Sequence, residues 1–338
     1  MLNNKLAQIM STDEKKFIDL SRENSFTNEV IIVDGQARSG KNMVAILLTT
    51  MARVEKMRLN SQMDNIPRFF GLGKMTEDAA IIALKTELDE NIYYNSISRD
   101  VNFRLSDYTG VLKQGKRWLY IKRLFQGADD DAIKRIKKEN PIFQEMTHDG
   151  IQYINLYFKV LGDRLKFIHV LRHPVNNIFE QNNRDFGTRI GKDPRELQLT
   201  FKWKKDVIPL MAVGYEELWI KGSPLEKLVV IVDAMFRKNI ASIQSLSELQ
   251  KKQILLLSFD HFVKNPKQDL LRLEEFIGQT FGSQCSRILR RENCPREVPA
   301  DQIKERYEVI HSCIKGSYKE LFEKMIEDYD QTITELVL

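Results

Sequence analysis

Three runs of the chain are apolar almost without interruption and rich in β-branched residues: EVIIVD (29–34), KFIHVL (166–171) and ILLLSF, shortly after residue 252. Short continuous runs of this kind, bounded by glycine or polar residues, are the pattern of strands buried on both faces of a parallel sheet. Between them the period changes. NMVAILLTTMARVEKM, from Asn42, and TEDAAIIALKTELDENI (76–92) carry apolar residues at helical spacing, the second with acids in its first turn, where the helix dipole favours them. Further helices are expected over 129–139, over IQYINLYFKVLG ending at Gly162, over 266–277 and 281–290, and from Asp301 to about Glu335. RWLYI (117–121) reads as a strand. KWKKDVIPLMAVGYEELW reads as a helix despite Pro209, and LEKLVVIVDAMF fits either a strand or a buried helix. Strands separated by helices predict an α/β fold, a mainly parallel sheet flanked by helices on both faces. Residues 1–28 are expected to be peripheral, and 29–338 to form one domain with helical insertions and a helical C-terminal region.

Composition changes this picture little. The 338 residues are 42% hydrophobic and 29% charged, with a net charge of +5, which excludes a disordered tail or a disulfide-stapled miniature. The small basic excess, scattered among acids, calls for no nucleic-acid partner. Cys285, Cys294 and Cys313 lack metal-ligand spacing and read as reduced thiols, so no metal site is expected. No stretch approaches the roughly 18 apolar residues of a transmembrane helix and the N-terminus lacks a signal-peptide pattern, so a cytoplasmic protein is expected.

The sharpest local signal lies between the first strand and the first helix: Gly35-Gln36-Ala37-Arg38-Ser39-Gly40-Lys41-Asn42. Gly35 and Gly40 permit tight backbone geometry, and the N–H groups near the helix start can face an anion neutralised by Arg38 and Lys41. The segment follows the phosphate-loop pattern up to its last position, where Asn42 replaces the hydroxyl residue that binds Mg²⁺. A loop that holds phosphate without metal is therefore favoured. The second strand runs into a further basic turn, Arg172-His173-Pro174, at the strand end where open α/β sheets bind ligands. Arg184 and Arg189 follow it.

Three segments together resemble the sulfotransferase superfamily: Gly35–Asn42, FIHVLRHPVNNIFE (167–180) and SFDHFVKNPKQDLLRLEEFIG (258–278). The resemblance implies a three-layer fold related to the P-loop NTPases and transfer of a sulfonate group from 3'-phosphoadenylyl sulfate, leaving 3',5'-adenosine bisphosphate, without a required metal. The acceptor would be a hydroxyl of a carbohydrate, lipid or small metabolite. By position, Gly35, Arg38, Ser39, Gly40, Lys41 and Asn42 match the cradle of the donor's 5'-phosphosulfate, with Arg38 and Lys41 in catalytic roles, and Arg172 matches the arginine on the 3'-phosphate. Two departures stand out. Lys41-Asn42 replaces the usual threonines, and Glu180 stands where the family has a serine on the 3'-phosphate, which a carboxylate would repel unless it turned away.

Removing the acceptor proton calls for a base. His148, Glu145 and Asp107 are the candidates; Lys122 and Arg123 stand where relatives place a histidine and are offered as anion ligands. Phe69, Phe70, Tyr93, Tyr94, Phe103 and Trp203 are offered as acceptor-stacking rings, while His169 reads as a core residue and His173 as a loop residue. Two other functions fit the loop. One is a Mg-ATP-dependent P-loop kinase, with Asp233 as its strand-end acid; the other is a non-catalytic nucleotide- or polyanion-binding protein. The long C-terminal amphipathic stretch suits cladding over the sheet, with homo-oligomerisation as its other use.

Overall fold

The computed structural model describes residues 18–299 and 301–336; residues 1–17 of the N-terminal segment lie outside the described residues. The strands are β1 (Val30–Asp34), β2 (Phe143–Met146), β3 (Leu165–Leu171), β4 (Thr200–Trp203), β5 (Asp206–Pro209) and β6 (Ile254–Ser258). Four of them form a wholly parallel sheet in the order β2-β1-β3-β6. Its central strand shows why. Val30 and Ile32 of β1 pack with Leu84, Tyr157 and Val229 on one face, and Ile31 and Val33 with Val44, Leu47 and Phe262 on the other. With both faces covered by helices, every position of β1 is buried, and the α/β three-layer arrangement expected from the pattern is the one observed.

Six helices recur below: α1 (Lys41–Leu48), α2 (Ser61–Gly71), α3 (Pro174–Asn182), α4 (Pro224–Gln244), α5 (Gln302–Cys313) and α6 (Ser317–Leu336). The ambiguous LEKLVVIVDAMF lies in α4, whose start is fixed by a Ser223–Glu226 capping box and whose continuous burial comes from packing on several sides. Asp233 therefore sits in mid-helix, taking hydrogen bonds from Tyr215 Oη at 2.7 Å and Arg237 Nε at 3.0 Å. It is not an acid at a strand end. The C-terminal stretch breaks at Gly316, which takes a φ of 51°, and α6 lays Phe322, Met325 and Tyr329 into the main core.

Three local expectations are corrected. RWLYI is helical over Arg117–Arg123. Its buried residues Tyr120 and Arg123 both reach Glu55 Oε2, at 2.5 and 2.8 Å, and positions three apart share a face only in a helix. Arg123 is thus a buried structural partner of Glu55, and Lys122 is exposed. Within 202–219 the expected helix is replaced by the β4–β5 hairpin and a short helix, Glu216–Lys221. Burial alternates along β4 with the period of a strand, and Pro209 ends β5 where no helical N–H is required. Finally, β2 has no counterpart in the expected strands, because Gln144 and Glu145 disguise it as a polar stretch. Pairing with β1 buries all four of its residues.

Cys285 and Cys294 are buried free thiols and Cys313 is exposed. Among the described residues, no helix is long and apolar enough to cross a membrane.

Candidate active site

β1 delivers the glycine loop to the C-terminal edge of the sheet. At its end Asp34 is fully buried, accepting hydrogen bonds from Thr147 Oγ1 at 2.6 Å and the Gly150 N–H at 2.8 Å, with His169 Nδ1 at 2.8 Å. Burial alone would raise its pKa, but the bonds and charge of His169, with Thr147, hold the carboxyl down at about 2. The chain then turns sharply. A Cβ on Gly35 would lie 2.6 Å from the Val170 carbonyl, and one on Gly40, at φ 96°, would lie 2.2 Å from the Phe259 ring. Arg38 itself adopts a left-handed φ of 63°. The loop thus presses directly on β3 and on the segment after β6. α1 begins at Lys41, so its first N–H groups have no carbonyl within the helix and open towards the cleft.

Ala37, Arg38, Gly40, Lys41 and Asn42 line a cleft of ≈ 850 Å³. Gly35 and Ser39 do not. The Ser39 N–H bonds the Gln36 carbonyl at 3.1 Å, and its buried hydroxyl borders a small cavity of mixed lining, beside His169. Lys41 is nearly buried, its Nζ donating to the Gly35 carbonyl at 2.6 Å. Loss of hydration lowers its pKa to about 8, although Asp34, Asp64 and Asp149 pull the other way.

From the end of β3, Arg172 donates from Nη1 to the Arg38 carbonyl at 2.7 Å and lies 5.4 Å from the Phe259 ring centre. α3 braces the same loop: Asn177 Nδ2 and Gln181 Nε2 donate to the Ala37 carbonyl at 3.1 and 3.3 Å. One turn along from Asn176 and Asn177, Glu180 faces Arg38 at 3.9 Å, Arg172 at 3.7 Å and Arg306, on α5, at 3.6 Å. Arg306 is invisible to motif reading, since it arrives from a distant helix. His173 caps α3, accepting from the Val175 N–H at 3.3 Å.

His148 lines the cleft that holds the loop. Its Nδ1 lies 2.8 Å from Asp64 Oδ2, and its N–H donates to Asp64 Oδ1 at 2.9 Å. Burial would raise the Asp64 carboxyl, but His148, and Arg68 on the next turn of α2, hold it below the usual range. Arg68 grips Asp149 with bonds of 3.0 and 2.8 Å, so the residue after His148 is anchored from α2. With Nδ1 engaged, Nε2 is the nitrogen left for chemistry. Asp64 escapes the sequence reading because Pro67 lies inside α2 and masks the helix. The Asp64–Arg68 spacing of one helical turn was the available signal.

The other candidate bases are placed elsewhere. Asp107 bonds the Thr109 N–H and hydroxyl, both at 2.9 Å, and Asn102 at 2.8 Å, within its own loop; its neighbour Tyr108 lines the cleft instead. Glu145 is fully buried within β2, where desolvation pushes its pKa up to about 8. Arg184, Arg189, Arg195 and Arg296 add positive charge to the cleft wall. None of the six proposed stacking rings borders it.

A second chamber of ≈ 360 Å³ adjoins, sharing Arg68 and Gln198 with the cleft and lined by Leu72, Leu199, Leu210, Met211 and Met235. Among the described residues, no group of three or more His, Cys, Asp or Glu is arranged to hold a metal ion.

No family model matches the chain, and no curated protein sequence does. Among solved structures, it is similar to the sulfotransferase domain of the curacin biosynthetic pathway, at 10% identity over 91% of this chain and 99% of that one, with a TM-score of 0.49. It is also similar to the sulfotransferase domain of the Synechococcus PCC 7002 olefin synthase, at 11% identity over 94% and 98% of the two chains, TM-score 0.46. A sulfotransferase from Mycobacterium avium matches at 13% identity over 96% and 81%, with a TM-score of 0.42.

Proposed function

We propose that this protein transfers a sulfonate group from 3'-phosphoadenylyl sulfate to an acceptor hydroxyl. One observation carries the reading: the glycine loop and the His148–Asp64 pair open onto a single cleft, so an anion cradle and a base face the same space. Its ≈ 850 Å³ volume suits a nucleotide. The residues fit the 5'-phosphosulfate end: Arg38, Gly40, Lys41 and Asn42 supply backbone donors and two cations there. When bound, the donor supplies the sulfur that the acceptor oxygen attacks in line, as the bond from sulfur to the bridging phosphate oxygen breaks.

The chain's own residues do the rest. His148 Nε2 takes the hydroxyl proton, while Asp64 fixes the ring's orientation through Nδ1 and stabilises the imidazolium that forms. Arg38 and the α1 N–H groups offset charge gathering on the departing phosphate. Lys41 adds its charge from its place on the Gly35 carbonyl. Arg68, held by Asp149, separates this chemistry from the second chamber. Its leucines and methionines favour an acceptor with an apolar body, such as a lipid or apolar metabolite, whose hydroxyl reaches past Arg68.

Calorimetry with 3',5'-adenosine bisphosphate and with ATP, each with and without Mg²⁺, tests the reading. Metal-independent binding of the bisphosphate is expected, followed by sulfonate transfer in a direct assay. Binding of Mg-ATP alone would favour a kinase and overturn the proposal. Nucleotide binding without transfer to any hydroxyl acceptor would leave a non-catalytic binding protein.

A further inference from the structure

At the edge of the cleft three guanidinium groups, from Arg38, Arg172 and Arg306, converge on one carboxylate. Among the described residues, Glu180 is their shared ion-pair partner, at 3.9, 3.7 and 3.6 Å. All three separations exceed hydrogen-bond length, so the carboxylate is held by charge and not by directional bonds. Two of the arginines are fixed by other contacts. Arg172 donates to the Arg38 carbonyl, and Arg306 donates to Asn176 Oδ1 at 2.8 Å with its guanidinium 4.5 Å from the Phe179 ring centre. The cluster is therefore built to receive an anion, and Glu180 occupies it from within.

The charges around it are nearly balanced. Against three guanidinium charges stand Glu180 and Asp260, whose carboxylate takes bonds from the His173 N–H at 2.6 Å and Asn176 Nδ2 at 2.7 Å and pulls on Arg172. Within this cluster one positive charge remains, and Arg38 shares it with the donor's 5' end. That is too little for a phosphate dianion, which would meet Glu180 at close range in a half-buried setting where repulsion is poorly screened. A ribose hydroxyl, in contrast, can donate a hydrogen bond to a carboxylate.

We propose that Glu180 is a specificity residue that suppresses recognition of a phosphate at the ribose 3' position, so that the donor site accepts nucleotides with a free 3'-hydroxyl nearly as well as 3'-phosphorylated ones. This rests on the nucleotide-donor reading above and widens it. The donor need not carry the 3'-phosphate, and adenylyl sulfate becomes a competent alternative.

Titration calorimetry of the full chain with adenosine 3',5'-bisphosphate and adenosine 5'-monophosphate tests it. In the unmodified protein the bisphosphate is expected to bind less than about tenfold more tightly than the monophosphate. Glu180→Gln, with Glu180→Ser as the second variant should the first fail to fold, is expected to tighten the bisphosphate at least about tenfold while moving the monophosphate less than about twofold. Adding Arg306→Gln should abolish that gain. An unmodified protein preferring the bisphosphate by about a thousandfold, or a folded Glu180 variant with an unchanged preference, would overturn the proposal and leave the nucleotide reading intact. A gain that survives Arg306→Gln would show that the cluster is not where the 3'-phosphate lies. If neither nucleotide binds any folded form, the donor reading falls and the proposal falls with it.

Discussion

Arg38 illustrates what a single residue does when its backbone is as constrained as its side chain is free. Its φ of 63° is held by the turn, and its carbonyl is held by Arg172, while the exposed guanidinium can follow charge as it develops. Arg38→Ala is expected to lower the transfer rate constant by about 10²–10³-fold while weakening donor binding much less. Equal losses in both, by calorimetry and steady-state kinetics, would contradict a transition-state role. In the proposed mechanism Asp64 acts through another residue. Asp64→Asn keeps the shape and removes the charge that orients His148, so kcat is expected to fall by about 10²–10⁴-fold with donor affinity within about twofold. A pH–rate profile in which the acidic limb's apparent pKa does not move would argue that Asp64 is merely structural.

At the scale of elements, what could be read from the sequence follows a physical line. β1, β3 and β6 were legible because burial on both faces demands unbroken apolar runs. β2 was not, since Gln144 and Glu145 are buried there by pairing and not by their own hydrophobicity. Arg38, Lys41 and Arg172 announced themselves through glycine spacing and strand ends, and His148 through its setting in a polar turn. Asp64 and Arg306 depend on how distant helices pack, which local spacing does not encode. Ser39 looked like a ligand residue but faces the wrong side of its own loop. That loop works as a unit with its neighbours: Gly40→Ala would drive a Cβ into Phe259 at a strained φ. It is expected to destabilise the protein by about 1–3 kcal/mol, read as a lower urea midpoint, and to weaken nucleotide binding.

Over the whole molecule, charge and solvation set how the protein responds to pH. Lys41 titrates near 8 in the fold against an ordinary value of 10.5. Between those values the unfolded chain holds more protons than the folded one, so this group makes stability rise with pH from about 8 to 10.5. Anion binding runs the opposite way. Affinity for adenosine 3',5'-bisphosphate is expected to fall as pH climbs past about 8, by up to about tenfold per pH unit. Lys41→Met should remove that step, and a step that persists in the variant would assign it to another group.

Asp34 ties these scales together. One buried carboxylate ends the strand that carries the glycine loop and also binds the amides of Gly150 and Ile151, beside His148. The glycine loop and the His148 turn are therefore surveyed from a common benchmark, and a local opening at one should be felt at the other. In hydrogen-exchange terms, the Gly150 and Ile151 amides should lose protection together with the loop amides, at a common rate, when Asp34→Asn removes the charge. Independent exchange of the two segments would mean that each is positioned by its own strand, and that the distance between cradle and base is free to drift.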